Sequence, residues 1–593
     1  MSYNTHPSDT AKMPTGIPFI ISNEAAERFS FYGMKAALAI FLANYLGVLG
    51  GESMNEAQAT AYVSFFNSAV YLTPLAGALI ADIFFGKYRT IVTLSVVYCL
   101  GHLCLAFMGV GGAVEIWLLA GLGLIAIGAG GIKPCVSSHV GDQFGKSNQH
   151  LLSKVFNIFY LSINFGAVIS NLSIPLILKW YGPHLAFGIP GVLMAIATIV
   201  FWMGRQKFIH VPAHGLSFFK ELGSREGLVA IGKLIPLFLF VAVFWCLFDQ
   251  TASTLVFQAE KMDRHVFGID ILPSQIQAAN PFLILVLIPI FTWWIYPSVG
   301  KIIPLTPLRK VGTGLFLMTI SFAIISLAQE AIDRGETPTV WWQLLAYLIF
   351  TTAEVLISIV CLEFAYTQAP RKMKSFIMGI FLVSVTIGNL LTGLINIYIQ
   401  IPEVALVEKQ AHPGFDGASG SKDDLLLEAG EISSPAYELL RESATTVQGI
   451  FTSTKSLPTS AKGGKALNSI KDAWGRPLRY TLISSTSARI SSDGPDQKPK
   501  TMWDLGVIIK IKEKKAKDED TWLYREKKKQ GMLEEFPTEG GDASPVKFTY
   551  YAGGQTSLEG AAYFWFFTKL MLVTAIIFVP FSLFYKQKTY LQE

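Results

Sequence analysis

The chain has 593 residues, of which 51% are hydrophobic and only 15% charged, and its mean hydropathy is +0.43. A soluble protein of this length exposes more charge, so the composition favours a membrane protein. The formal net charge of +5 gives no support to nucleic-acid binding. The five cysteines lie in apolar segments without zinc or redox spacing, which predicts packing residues and no metal site.

Twelve apolar segments are long enough to cross a bilayer, which needs about 20 residues. They divide into six plus six around a basic linker. This outline resembles the major facilitator superfamily, in which two pseudo-symmetric six-helix halves rock about a midplane site. The predicted fold is therefore an all-α membrane protein, although other folds also have twelve spans. The segments are 17–46, 58–84, 90–110, 114–139, 153–178, 184–204, 231–259, 278–298, 307–328, 339–368, 374–400 and 559–585.

The organisation predicted from these segments has five parts. They are an N-terminal bundle at 1–204, a cytoplasmic linker at 205–230, helices 7–11 at 231–401, a polar insert at 402–558, and helix 12 with a cytoplasmic tail at 559–593.

Lysine and arginine are expected to mark the cytoplasmic loops. With the N-terminus inside, the opposite loops Gly109 to Glu115 and Trp180 to His184 hold almost no base. We therefore expect both termini in the cytoplasm and the insert outside the plasma membrane. The basic residues assigned to the inner side are Lys87, Arg89, Arg205, Lys207, Lys220, Arg225, Lys233, Lys301, Arg309, Lys310, Arg371, Lys372, Lys374, Lys586 and Lys588.

The insert is too long to be a plain loop, and its middle is expected to fold as a small α+β module. Residues 435–449 have a helical period. Two strand-like runs, 479–483 and 503–511, are expected to be joined by a turn at 492–496. The flanking stretches 414–424 and 512–529 are interpreted as solvated linkers.

Charged side chains within membrane helices cost roughly 2.5–3.5 kcal/mol each and are usually paired and functional. The first helix carries Glu24, Glu27 and Arg28 at spacings that place them on one face, and Lys35 lies two turns further on. Such a face is expected to line a cavity where acids exchange protons, although a purely structural ion pair is the alternative. Other charges in predicted spans are Lys133, Asp249, Glu354 and Glu363.

Seven motifs together resemble the proton-dependent oligopeptide transporter (POT/PTR) family. They cover about residues 17–401 and 559–590, in the family's order. The motifs are Asn23 to Gly33 (NEAAERFSFYG), Tyr71 to Pro74 with Gly77 to Lys87, Gly130 to Cys135 with Gly141 to Phe144, Phe156 to Gly166, Phe248 to Gln250, Gln277 to Pro281, and Glu363 to Pro370 (EFAYTQAP).

The resemblance implies roles for particular residues. Glu24, Glu27, Arg28, Lys133 and Glu354 would couple transport to protons, and Lys35 with Asp249 would form a gate between the halves. Arg28 would lie near the carboxylate of a bound peptide, and Glu354 would meet its amino group. The substrate contacts would be Arg28, Tyr32, Tyr71, Lys133, Tyr160, Asn164, Trp245, Asn280 and Glu354.

Some residues depart from the family pattern or have a simpler explanation. Phe31 replaces a common tyrosine, and Lys35 stands where arginine is common. Lys133 could instead extend to the membrane interface. The three tyrosines could be packing residues of an aromatic bundle.

The insert has its own weaker resemblance, to the C-terminal part of major pseudopilins of type II secretion. It covers about 434–511, through Asp472 to Tyr480, Ser491 to Asp496 and Asp504. Pseudopilins hold calcium near this turn, but here Gln497 and Lys498 follow Asp496, and Trp503 replaces an acid, so calcium is not expected. The combination of a transporter-like chain with a pseudopilin-like insert suggests a bacterial inner-membrane protein. The insert would then lie in the periplasm, and its partner is unknown.

The leading functional hypothesis is a proton-coupled symporter of di- and tripeptides that works as a monomeric unit in the lipid bilayer without a cofactor. One alternative is a proton-coupled transporter of another small zwitterion, an anion or a drug-like solute. Another is a nutrient receptor that uses the outer domain. An enzyme is not expected, because no nucleophile–base pair, metal set or nucleotide loop is present.

Overall fold

The structure, a computed structural model, confirms a helix at each of the twelve predicted spans. It describes residues 3–7, 11–213, 225–367, 374–512, 520–533, 538–539, 542–543 and 545–585. The inner-side residues Lys220, Arg371, Lys372, Lys586 and Lys588 lie outside this described part.

Eleven membrane helices precede the insert. They are α1 Ile17–Ile40, α2 Glu56–Ile80, α3 Lys87–Ala106, α4 Val114–Asp142, α5 Leu152–Tyr181, α6 Pro183–Met203, α7 Arg225–Phe248, α8 Ala279–Ile290, α9 Pro307–Asp333, α10 Trp341–Glu354 and α11 Lys374–Tyr398. Short turns and helices lengthen several of them, namely Phe41–Tyr45, Ala81–Phe85, Asp249–Ala252 with Thr254–Glu260, Pro273–Ala278, Phe291–Ile295 with Tyr296–Val299, and Val355–Ile359 with Val360–Thr367.

Local sequence signals explain where helices begin. Asn55 caps α2, because its side chain accepts from the Gln58 backbone amide while the Gln58 side chain accepts from the Asn55 amide. Thr306 accepts a hydrogen bond from the Arg309 amide, and a proline follows it at the first position of α9.

Two separate apolar cores define the two halves. One core gathers buried residues between Ile17 and Phe208, with Ala252 and Phe257 joining it across the interface, and the other gathers residues between Leu234 and Phe578. The halves meet where α2 packs on α11 and α5 packs on α8. At the first contact, the Ser68 hydroxyl donates to the Thr386 carbonyl at 3.0 Å. The 6+6 layout of a major facilitator therefore fits the structure.

Within the described residues, eleven helices are long and apolar enough to cross a membrane on hydropathy and charge. The first helix is not among them, although it has 24 residues. It carries Glu24, Glu27, Arg28 and Lys35, and this charge sets it apart from the others.

Close contact between α2 and α4 depends on Gly130. A Cβ at this position would lie 2.6 Å from the Thr73 Cβ and 2.8 Å from the Thr73 carbonyl carbon. We expect Gly130→Ala to reduce stability by about 1–3 kcal/mol through overpacking, measured as a lower midpoint of thermal unfolding in detergent. Gly123→Ala on the same helix is the control, because its Cβ would meet open space. Equal midpoints for the two variants would contradict this packing.

The insert folds as a small α+β unit. Helix α12, Tyr437–Thr454, confirms the helical period predicted there, and α13 Ser460–Leu467 follows. Two antiparallel sheets accompany them: β3 Ala411–His412, β4 Leu425–Glu428 and β5 Glu431–Ser433 form one, and β6 Arg479–Ser484, β7 Ser487–Ser492, β8 Leu505–Ile511 and β11 Val546–Ala552 form the other in the order β11-β8-β7-β6. Two further hairpins have strands of only two residues each. One lies in the insert, β9 Thr538–Glu539 with β10 Asp542–Ala543, and the other lies outside it, β1 His265–Val266 with β2 Ile269–Asp270.

The predicted connection between the two strand-like runs was wrong. Strand β7 lies between them, so the turn at 492–496 joins β7 to β8. The serine-rich sequence hid this strand, although its Ala488 and Ile490 alternate into the insert core.

The interpretation of the stretch 414–424 as a solvated linker was wrong, because hydrogen bonds to Asp423 hold it as an ordered loop. Its Asp423 carboxylate accepts from the Phe415 amide at 2.6 Å and the Ser421 hydroxyl at 2.6 Å. Burial alone would raise the pKa of Asp423, but these bonds and one from the Asp416 amide hold it below its ordinary value.

The stretch 512–529 was also wrongly interpreted as a linker, because it contains helix α14, Trp522–Lys529. Residues 513–519 lie outside the described part. This helix docks on the N-terminal half. The Trp522 ring stacks on Tyr45 at 5.9 Å between centroids, and Arg525 donates to the Trp180 carbonyl at 3.0 Å.

The insert is also tied to the C-terminal half, just before the last membrane helix, α15 Ala561–Phe584. Arg489 of β7 forms a two-pronged ion pair with Glu559, and the Ile401 amide donates to the Gln555 carbonyl at 2.7 Å. The insert therefore contacts both halves at one end of the bundle, called the insert end below.

Candidate functional site

Four charged side chains from α1 and α4 form one buried cluster. The Arg28 Nε lies 2.7 Å from Glu24 Oε1, and another Arg28 nitrogen lies 3.3 Å from Glu27 Oε2. The Lys133 Nζ lies 3.2 Å from Glu27 Oε1. Glu24 and Glu27 are fully buried, so each acid needs these cations to remain charged.

Lys133 points into the bundle and does not extend to the membrane interface. Its side chain is 7% exposed, and its Nζ also lies 4.0 Å from the centroid of the Phe31 ring. The phenylalanine that departs from the family pattern therefore offers a cation–π contact where a hydroxyl would otherwise lie. Glu27 is shared by two bases, so a proton on it would weaken two ion pairs at once.

Lys35 and Asp249 form a buried ion pair between the two halves. The Lys35 Nζ lies 2.7 Å from Asp249 Oδ1, and both side chains are at least nine-tenths buried. The Asn389 amide of α11 donates to the other Asp249 oxygen at 2.7 Å. This pair is suited to hold α1 against α7.

Glu354 lies at the C-terminal end of α10, where a π turn begins. Its Oε2 accepts from the Asn280 side-chain amide at 2.7 Å, and the same amide lies 3.2 Å from the Thr351 hydroxyl. No base pairs with Glu354 within the described residues. Its carboxylate is therefore available to an external cation.

Hydroxyl groups connect the base-rich and acid-rich sides. Tyr32 of α1 lies within electrostatic range of Arg28 and Glu27 from its own half and of Glu354 from the other half. Tyr160 lies near both Tyr32 and Glu354. Arg28 and Glu354 thus lie within electrostatic range of Tyr32 from opposite halves, and the region around Tyr32 between the halves is called the shared space below.

Two further predicted contacts border this space. Tyr71 lies within electrostatic range of Tyr32 and of Asp249, the residue that pairs with Lys35. Asn164 is 7% exposed and donates to the Tyr160 carbonyl, so it orients the turn that carries Tyr160.

Trp245 belongs to the aromatic core of the C-terminal half. It packs edge-on against Phe244 and Phe248 in the core of the C-terminal half and is 9% exposed. Its indole nitrogen is buried without a hydrogen-bond partner among the described residues.

Sequence analysis missed Asn389 and Thr351. Both are neutral polar residues in membrane helices, and they do not stand out as charges do. The signal that could have found Asn389 is a side-chain amide within a membrane helix, where such groups often bond across helices.

Comparison with known proteins identifies the family. A family model described as the POT family matches residues 88–225 and 222–409. The chain belongs to the POT family. Peptide transporter family 1 of Drosophila melanogaster is 38% identical over 365 residues, which cover 54% of this chain and 48% of that protein. Solute carrier family 15 member 2 of Danio rerio is 39% identical over 54% of this chain and 50% of its own length. This chain thus spans about half the length of the curated relatives it matches.

The fold of this chain is similar to that of solved POT family structures. The in meso crystal structure of the POT family transporter PepTSo has a TM-score of 0.61 and 37% identity, covering 66% of this chain and 91% of that chain. The crystal structure of an auto-inhibited POT family peptide transporter has a TM-score of 0.59 and 36% identity, covering 65% and 89%. The chain is thus a member of a transporter family and not of an enzyme family.

Proposed function

We propose that this chain is a proton-coupled symporter that imports di- and tripeptides by alternating access of its two halves. One observation carries the proposal: a buried base, Arg28, and an acid without a basic partner among the described residues, Glu354, belong to different halves, and both lie within electrostatic range of Tyr32. A short peptide is a zwitterion, so a base and an acid on opposite walls can hold its two ends. The printed names of the relatives, which are peptide transporters, agree with this substrate class.

The predicted residues have three roles in this proposal, and Arg28, Lys133 and Glu354 take part in two of them. Glu24, Glu27, Arg28, Lys133 and Glu354 couple proton uptake to transport, and Lys35 with Asp249 forms the gate. The substrate is held by Arg28, Lys133 and Glu354 at its charged ends and by Tyr32, Tyr71, Tyr160, Asn164, Trp245 and Asn280 along its length.

Proton coupling follows from competition for the bases. Ionised Glu27 holds both Lys133 and Arg28. When Glu27 takes up a proton, Lys133 loses its partner and Arg28 keeps only Glu24, so the Arg28 nitrogen that faced Glu27 becomes available for a peptide carboxylate. Alternating access needs two arrangements of the halves, and in this proposal only one of them favours the ion pairs of Glu27. Protonation of Glu27 therefore shifts the equilibrium towards the other arrangement. The proton itself is the coupling ion, and no other cofactor is invoked.

The direct test is uptake of labelled dialanine into proteoliposomes with and without an inward proton gradient. Accumulation above equilibrium only with the gradient would support the proposal. Absence of dipeptide uptake by correctly folded protein would favour the alternative, a transporter of another small zwitterion, an anion or a drug-like solute.

Glu354→Gln tests how the peptide is oriented. The glutamine oxygen can still accept the Asn280 hydrogen bond but offers no charge to the peptide ammonium. Because a hydrogen bond to a charged group contributes about 1.5–3 kcal/mol, we expect dialanine counterflow exchange to weaken about 10- to 100-fold. Exchange of N-acetyl-dialanine, which has no ammonium, should change much less.

Glu363→Gln is the control for this variant, because Glu363 follows on the same helical run but is exposed. Equal losses for the free and acetylated peptides would contradict the proposed orientation, since the effect would then not depend on the peptide amine.

The insert is proposed to lie outside the membrane, in the periplasm of a bacterial cell, with both termini in the cytoplasm. Its likeness to pseudopilins suggests a rigid spacer or binding module. In its Asp-rich turn, Asp493 pairs with Arg476 and Arg479, and Arg479 also lies 3.0 Å from Asp504. Cations of the chain itself thus neutralise the acids, which supports a calcium-independent module. A protease added to right-side-out vesicles should cleave within 402–558, whereas cleavage only after membrane disruption would contradict this topology.

A further inference from the structure

A cavity of about 740 Å³ lies between the insert and the insert end of the bundle. This volume falls within the range of about 300–1,000 Å³ that is usual for small-molecule sites. Strands β6, β7, β8 and β11 supply its roof, and the ends of α2, α7, α9 and α11 supply its floor. It is therefore distinct from the shared space around Tyr32.

Two ion pairs stand in the cavity wall. Lys261, which follows α7, lies 2.8 Å from Glu56 of α2, so this pair joins the two halves directly beneath the insert. Arg489 and Glu559 join the insert to the segment before α15. A ligand in the cavity would consequently touch the insert and both halves at once.

Two carboxylates in the same wall have no basic partner within the described residues. Asp333, at the end of α9, accepts only neutral hydrogen bonds there, from the Gln329 side chain at 2.9 Å and the Ala561 amide at 2.7 Å. Glu403 lies at the exposed rim. The cavity wall has four acidic side chains and two basic ones, which leaves an excess of negative charge. The acids are Glu56, Asp333, Glu403 and Glu559, and the bases are Lys261 and Arg489.

A donor without an acceptor lies in the same cavity. Arg489 is 9% exposed, and although its terminal nitrogens pair with Glu559, its buried Nε has no hydrogen-bond partner among the described residues. A buried N–H of this kind is normally satisfied in proteins. The wall therefore presents carboxylates without a basic partner and a guanidinium with one N–H that has no acceptor among the described residues.

We propose that this cavity is a second, peripheral site for a zwitterionic short peptide, which binds its ammonium on Asp333 and Glu403 and its carboxylate on Arg489. A metal cation would pair with the carboxylates but could not accept from the Arg489 N–H. A simple anion would be repelled by the excess of carboxylates in the wall. The inference rests on the proposed function for its substrate class. Peptide bound here would lie over the Glu56–Lys261 pair, where the two halves meet.

The test is isothermal titration of the full chain in detergent with dialanine. We expect two classes of site in the wild type. Glu354→Gln should weaken one class, and Asp333→Asn or Glu403→Gln should weaken the other at least tenfold while the first is retained. N-acetyl-dialanine should fail to fill the class that depends on Asp333.

Two variants are used because Asp333 also caps α15, whereas Glu403 is exposed and its replacement is expected to leave the fold intact. Glu336→Gln is the matched control, since this exposed acid lies in the loop after α9 and outside the cavity. A single class that Glu354→Gln abolishes would overturn the peripheral site and leave the proposed function standing. Two classes that both Asp333→Asn and Glu403→Gln leave unchanged would also overturn it. Absence of any dialanine binding by folded protein would remove both proposals together.

Discussion

Glu27→Gln is expected to abolish proton-driven accumulation of dialanine while counterflow exchange continues. The carboxamide keeps the size of the side chain but cannot take up a proton. An inward proton gains roughly 2.3 kcal/mol per 100 mV, which corresponds to about 50-fold accumulation for one proton per peptide. In proteoliposomes at that potential, the accumulation ratio should fall from this range to about one.

Exchange should survive because it needs binding and reorientation but no net proton movement. The matched control is Glu330→Gln on α9, because Glu330 accepts a hydrogen bond from the Trp565 indole at 2.8 Å, and a carboxamide oxygen can also accept it. Retained accumulation in Glu27→Gln, or loss of accumulation in both variants alike, would show that coupling does not depend on Glu27.

The α1 charges could be predicted from sequence because charge is conspicuous in a membrane helix. The i, i+4 spacing of Glu24 and Arg28 even fixes their pairing, which the structure has at 2.7 Å. Their long-range partners carry no such local signal. That Lys35 meets Asp249 follows from helix packing and was implied only by the family resemblance, whereas the pairing of Glu27 with Lys133 was not predicted.

Neutral partners were harder to find. Asn389 and Thr351 cost little in a membrane helix compared with a charge, so nothing in the sequence marks them as partners of Asp249 and of the Asn280 amide. They became visible only when the packing of α11 on α7 and of α10 on α8 was known.

The insert shows a different limit. Its α12 and β8 were predicted because their apolar periodicity is strong. Helix α14 is mostly charged, and its apolar contact is concentrated in Trp522, so periodicity gave no signal. Its position depends on Tyr45 and Trp180, which belong to the other half of the chain. This contact makes the insert a connection between the halves, which a free linker could not be.

Breaking the Lys35–Asp249 pair from one side is expected to shift the transporter away from the packing of the two halves in which this pair is formed. Asp249→Asn leaves a charged lysine buried without a counter-ion, a loss of about 3–5 kcal/mol. Because about 1.4 kcal/mol is tenfold, the equilibrium between the states should change by about 100- to 4,000-fold. The measurement is the distance distribution between spin labels at exposed Glu52 and Phe267, in a background without the native cysteines.

The double variant Lys35→Met with Asp249→Leu should restore the wild-type distance distribution, because it removes the buried charge together with its partner, and apolar replacement of a buried pair is often neutral. The comparison is Glu56→Gln, which breaks the other inter-half pair, whose side chains are 54% and 24% exposed. An exposed pair contributes about 0–1 kcal/mol, so this variant should shift the distances by less than about tenfold in population. Equal shifts of the distance distribution in Asp249→Asn and Glu56→Gln would contradict this prediction. They would show that burial of the Lys35–Asp249 pair does not decide how firmly the two halves are held together.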